Sequence, residues 1–201
     1  VPGIKSITLP LGKLNITRKV KSLKIIFKSC TSELILDQNK KRLFCKQKNE
    51  YTFRSLSSLL KSISKAKEVF KDISFDIVIT DTNSPKIDID KIKYILSRHS
   101  ITNELLEINL NSLKNVISDN VSEAKFATMA NYYTSLNLAK NSSADLIYMV
   151  EDDYIHTDDS ISEMLFTFEK LSTILKNEIF LLPTDYPYLY TKSNSTKIFL
   201  G

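Results

Sequence analysis

Glycine, proline and cysteine are all scarce in this chain: 3 Gly, 5 Pro and 2 Cys among 201 residues, with no Trp. So few Gly and Pro exclude collagen-like and mucin-like classes, and two cysteines cannot staple a domain of this size. No apolar run approaches the ~18 residues that a membrane helix needs. Charged residues make up 25% and hydrophobic residues 42% of the chain. That balance supports a packed core and argues against wholesale disorder. Cys30 and Cys45, with no recognisable secretory signal, read as thiols of a reducing, cytosolic setting. The chain starts on Val1 and stops on Ile198-Phe199-Leu200-Gly201, and both ends read as cuts.

The net charge of +5 hides a division. Residues 1–100 hold 21 Lys or Arg against 9 Asp or Glu, whereas residues 101–201 hold 7 against 14. A basic half attracts polyanions. Only Arg18, Arg42, Arg54 and Arg98 are arginines, however, and bidentate readout of bases or phosphates favours Arg over Lys. The lysines therefore read as solvated surface, and nucleic acid is not expected as a partner.

Residues 1–21 lack a clean period and read as an N-terminal arm or edge hairpin before a domain over 22–201. Leu23, Ile25, Ile26 and Phe27 form an apolar run of strand length, stopped by Lys28-Ser29-Cys30-Thr31-Ser32. Residues 33–50 read as a Lys-rich loop with at most one helical turn. Leu56, Leu59, Leu60, Ile63, Ala66 and Phe70 recur at helical spacing. Strands are expected at Phe75–Ile79, Leu105–Leu110, Leu146–Val150 and Ile179–Leu182. Helices are expected around Ile89–Leu96, after Ser122, and after Asp158 or Asp159. Alternating strands and helices imply an α/β fold, a mostly parallel sheet with helices on both faces. Ligands of such folds bind at the C-terminal ends of the strands. That rule singles out Lys28–Ser32, Thr80–Pro85 and Glu151–His156.

Glu151-Asp152-Asp153 directly follows the most convincing strand. Three successive carboxylates repel one another unless a cation or donors offset them. Hard divalent ions take oxygen ligands, and Mg²⁺ bridges one or two carboxylates to substrate phosphates. The same residues also suit a solvated acidic turn that caps the next helix. His156 is a further candidate metal ligand. Asp81 at the end of its strand can accept from ribose hydroxyls or base N–H groups, or make an Asx turn before Ser84-Pro85. The Lys28–Ser32 loop has none of the glycines of a P-loop or dinucleotide fingerprint, and a nucleotide would rest on its backbone and hydroxyls.

The three strand ends in this order resemble a GT-A fold glycosyltransferase of the family-2-like kind. So does Asn131-Tyr-Tyr-Thr-Ser-Leu-Asn137 before Ala144-Asp145-Leu-Ile-Tyr-Met-Val-Glu-Asp-Asp153. The resemblance covers roughly residues 22–190. It implies a metal-dependent enzyme, hexosyltransferase-like and inverting, that moves a sugar from a UDP- or GDP-sugar to a glycan, lipid or small acceptor. Lys28, Ser29 and Thr31 would line the nucleotide pocket with Asp81, Glu151 and Asp152. Asp153, with Glu151, would bind Mn²⁺ or Mg²⁺. This chain has Glu where the D-x-D pattern begins with Asp. Asp185 would be the base that deprotonates the acceptor. A cytoplasmic protein at the inner face of a membrane fits this reading, with the C-terminal part of the fold missing. The alternatives are a sugar-nucleotide-forming nucleotidyltransferase and a non-catalytic module with a Ca²⁺-stabilised acidic loop.

Overall fold

The computed structural model describes residues 14–32, 46–117 and 121–183. Strand β1 (Ser22–Ser29) leads to helix α1 (Lys48–Val69), β2 (Ser74–Asp81), α2 (Lys86–Ser97) and β3 (Thr102–Glu107). A 3₁₀ turn (Leu110–Leu113), α3 (Glu123–Lys140), β4 (Leu146–Glu151) and α4 (Ser160–Leu175) follow. The four strands form one all-parallel sheet in the order β3-β2-β1-β4. The fold is α/β and Rossmann-like.

Burial on both sides explains the unbroken apolar strands. Ile25, Ile26 and Phe27 are consecutive and wholly buried, as are Ile77 and Ile79 on β2. An alternating strand would leave every second residue in water; a central parallel strand leaves none. Helix α1 buries Leu56, Leu59, Leu60, Ile63 and Ala66, the stripe that its spacing predicts. Its first turns differ from expectation: it begins at Lys48, inside the stretch read as loop. Lys48 and Asn49 are carried on the helix by polar contacts rather than by apolar burial. Helix α3 buries only small or polar residues, Ala127, Ala130, Asn131 and Ser135, and Ser122 caps it by accepting the Lys125 amide. Met129, Tyr132, Tyr133 and Leu136 stand exposed on its other side.

Crossover handedness places the helices. Steps from β1 to β2 and β2 to β3 run one way across the sheet, whereas the return from β3 to β4 runs the other. Right-handed crossovers therefore put α1 and α2 on one face and α3 on the opposite one. Side-chain contacts agree: Asn131 and Ser135 of α3 meet Thr80, and Tyr132 meets Glu151. Strand β3 lies somewhat earlier than expected, at Thr102–Glu107. Of the strand expected at Ile179–Leu182, only Ile179 makes a bridge.

The chain divides into two compact units, one of Val20–Ser162 and the other of Val1–Lys19 with Glu163–Gly201. The first holds the whole sheet. In the second, the Thr173 hydroxyl accepts the amides of Thr17 and Arg18 at 3.2 and 3.1 Å. Arg18 grips Glu178 through two nitrogens at 2.7 and 3.1 Å and lies 5.3 Å above the Phe168 ring. This fork geometry is the one that arginine makes best. Among the described residues, no helix is long and apolar enough to cross a membrane.

Candidate functional site

The direction of chain progression reverses between β1 and β4, and there the loops after the two strands part to opposite sides. In open parallel sheets this is where ligands bind. Register puts Lys28 beside Glu151 across β1 and β4, and Ser29 beside Asp81 across β1 and β2. Three strand ends singled out by sequence thus lie side by side at one edge of the sheet.

Pleating separates their side chains. Lys28, Thr80 and Glu151 share the α3 face. Lys28 Nζ lies 2.9 Å from Glu151 Oε1 and 3.3 Å from the centre of the Tyr132 ring, while the Tyr132 hydroxyl donates to the same Oε1 at 2.5 Å. Burial pushes the Glu151 carboxyl up, but the Tyr132 hydroxyl and the Lys28 ammonium outweigh it and hold the group below its ordinary value. Beneath this cluster Asn131 Nδ2 donates to the carbonyls of Ser29 (3.2 Å) and Thr80 (2.9 Å), and its Oδ1 accepts from Thr80 Oγ1 at 2.7 Å. Asn131 thereby ties α3 to both central strands just where they end.

Asp81 points to the other face and is almost fully buried. Its oxygens accept from the Ser84 hydroxyl at 2.6 Å and the Ser84 amide at 3.1 Å, a local capping-type turn closed three residues on. Asn83 enters the left-handed region at φ 60° to close it, a conformation that Asn tolerates better than most residues. Burial raises the Asp81 carboxyl above its usual range, and the Ser84 contacts only partly offset this. The Ser29 hydroxyl stands near enough to help electrostatically, but without hydrogen-bond geometry.

The acidic triplet splits three ways. Glu151 is held by Lys28 and Tyr132. Asp153 is exposed on the turn. Asp152 turns inward and is buried. Its Oδ2 accepts from the Cys30 amide at 3.2 Å and the Thr52 hydroxyl at 2.9 Å, and its Oδ1 pairs with the Lys48 ammonium. His156 is buried too: its Nε2 meets the Tyr148 hydroxyl at 2.9 Å, and its amide donates to Ser58 Oγ at 3.0 Å. Burial lowers the His156 pKa and pushes the Tyr148 phenol up to about 12. Glu151, Asp153 and His156 do not converge: among the described residues no three His, Cys, Asp or Glu side chains form a group able to hold a metal ion. Asp185 lies outside the described residues, as does Cys45.

Sequence reasoning missed Lys48, Thr52, Asn49 and Asp88. Thr31 Oγ1 donates to Asp88 Oδ2 at 2.6 Å, and Asn49 Nδ2 donates to Asp88 Oδ1 at 3.1 Å. The signal was present: Thr52, Ser58 and Ser62 sit along α1 beside its apolar stripe. Thr52 serves Asp152, Ser58 takes the His156 amide, and Ser62 takes the Ile161 amide at 3.1 Å, capping the start of α4. Hydroxyls at those positions mark a helix that packs against loop backbone as well as against a sheet. A cavity of about 570 Å³ lies at the opposite end of the strands, lined by Lys67, Phe75, His99 and Thr102 among others. It is not part of this site.

Comparison with known proteins returns no family model, no curated protein and no solved structure that matches this chain.

Proposed function

We propose that this chain binds a nucleoside-diphosphate sugar at the C-terminal edge of its sheet and transfers the sugar to an acceptor hydroxyl, as a GT-A-type glycosyltransferase does. One observation carries the reading: Lys28 and Ser29, Asp81 and Glu151 end three adjacent strands at one edge, on both sides of the reversal point. Asp81 would accept from the ribose or the base. Lys28 would offer its ammonium to a phosphate, with Glu151 and the Tyr132 ring orienting it. A nucleoside diphosphate leaving group develops negative charge, and a fixed cation at that place lowers the barrier.

The chemistry of the donor set fits a divalent ion in one form only. Glu151 and Asp153 are solvent-accessible carboxylates, and two carboxylates together with substrate phosphates are a usual Mg²⁺ environment. Asp152 and His156 are engaged elsewhere. When bound there, the ion would supply Lewis-acid stabilisation of the leaving diphosphate.

The test is thermal denaturation with UDP, GDP, ADP and CDP, each with Mn²⁺ and with EDTA, followed by assay of nucleoside diphosphate release from the matching sugar nucleotide. We expect UDP or GDP to raise Tm, and Lys28→Met to reduce that rise. No shift with any nucleotide would sink the proposal. Release of pyrophosphate from a nucleoside triphosphate would replace it with nucleotidyl transfer.

A further inference from the structure

We propose that Asp88 and Asp152 form a double clasp fixing both ends of the β1–α1 connection, and that Asp152 is a positioning residue of the site rather than a ligand of the bound molecule. Each carboxylate joins the exit from β1 to the entry into α1. Asp152 takes the Cys30 amide on the exit side, and the Thr52 hydroxyl and Lys48 ammonium on the entry side. Asp88 takes the Thr31 hydroxyl on the exit side and the Asn49 side-chain Nδ2 on the entry side. Cys30 and Thr31 are neighbours, as are Lys48 and Asn49, so the two clasps alternate along both segments.

The carboxylates approach from opposite flanks. Asp152 follows β4, and Asp88 lies in the first turn of α2, the crossover that follows β2. Strand β1 lies between β2 and β4, so its end is gripped from both sides. Both carboxylates are buried, at 7% and 6% exposure. A buried carboxylate is tolerated only when its oxygens are satisfied, and both oxygens of each are. Asp152 also has a full countercharge in Lys48. A ligand entering the site would have to displace several contacts at once to reach it. Asp153, by contrast, is the exposed member of the triplet.

The clasp is continuous with Asp81. The Thr31 amide donates to Ser84 Oγ at 2.9 Å, and that hydroxyl donates to Asp81. Thr31 thus receives its position from Asp88 through its side chain and from the Asp81 turn through its backbone. Loosening the clasp moves the backbone on which the donor would rest, and small misplacements at a site cost large factors.

Two readouts separate the clasp from the function proposed above, on which only the second rests. The first is amide hydrogen exchange by NMR at Cys30 and over Lys48–Thr52, in the protein without ligand. The second is the Kd for whichever nucleoside diphosphate raises Tm. In Asp152→Asn we expect Cys30 exchange to quicken and the Kd to rise by about tenfold, the factor matching one lost hydrogen bond to a charged group. Asp88→Asn should quicken exchange over the same residues from the other flank. Asp153→Asn should leave Cys30 exchange unchanged. Thr52→Val is the milder variant should Asp152→Asn fold poorly: it should quicken Cys30 exchange, and Thr52→Ser should restore it. Native-like Cys30 exchange in both Asp152→Asn and Thr52→Val overturns the clasp, as does an equal effect from Asp153→Asn. If no nucleotide binds the native protein, the glycosyltransferase reading falls while the exchange experiment still decides the clasp.

Discussion

Lys28 and Glu151 are register partners on neighbouring strands, and their charged ends meet at 2.9 Å under the Tyr132 ring. Adjacent parallel strands set their Cα atoms close together and aim both side chains at the same face, so this ion pair follows from register alone. It joins a site residue of the basic half to one of the acidic half.

Removing the ammonium tests the pair. Lys28→Met should lower stability by only about 0.5–1 kcal/mol, because Glu151 is half exposed and water screens the interaction. The larger effect should be on Glu151 itself, whose pKa should rise toward its ordinary value. Carboxylate titration by NMR reads this directly. An unchanged Glu151 pKa would show that Tyr132 alone holds it down.

Asp81 should make stability fall as pH rises. Its folded pKa is raised by burial. Between the ordinary carboxyl value, about 3.9, and that raised value, the native state holds a proton that the unfolded state has lost. Stability from this group is full below the unfolded pKa and is lost through the folded one. Asp81→Asn should flatten that slope in urea denaturation as pH rises from about 3.9, since an amide keeps an acceptor for Ser84 without the charge. The same variant should weaken nucleotide binding. A steeper slope in Asp81→Asn would contradict this.

His156 has the opposite sign. Burial lowers its folded pKa, so below about pH 6.5 the unfolded chain takes up a proton that the native state refuses. Stability is full above the unfolded pKa and declines as pH falls through the folded one. His156→Gln should remove that part of the acid sensitivity. Tyr148→Phe should cost about 1–3 kcal/mol by denaturant titration, because it leaves a buried ring nitrogen without its partner.

Asn131 has the largest expected cost on α3. Asn131→Ala deletes contacts to Ser29, Thr80 and Ser135 at a buried position. We expect a loss of about 2–4 kcal/mol, since buried acceptors lose their donor and a cavity opens. Met129→Ala, on the exposed side of the same helix, should change stability by about 0.5 kcal/mol or less.

Apolar patterning made the sheet legible. Ile25-Ile26-Phe27, Ile77-Val78-Ile79 and the run ending at Val150 read as strands from their length and the polar stop after each; the first two are covered on both faces, whereas β4, at the edge of the sheet, is mostly half-buried. Strand order was not legible, because parallel pairing leaves no local mark, and neither was the start of α1. Lys48, Asn49 and Thr52 are helical where their polar groups can reach Asp152 and Asp88, partners far away in sequence. No window around residue 48 contains that information.

The acidic triplet shows the division most sharply. By itself the sequence determined that Glu151, Asp152 and Asp153 directly follow an apolar strand, because strand and stop are local matters of hydrophobicity. Only the tertiary structure decided which carboxylate goes where: Glu151 to Lys28 on one face, Asp152 inward to Lys48 and Thr52, and Asp153 to the exposed side of the turn. Pleat and turn aim successive side chains in different directions, and the groups waiting in each direction belong to other elements. Charge and spacing are written along the chain, whereas the partner that fixes a charge in place exists only after folding.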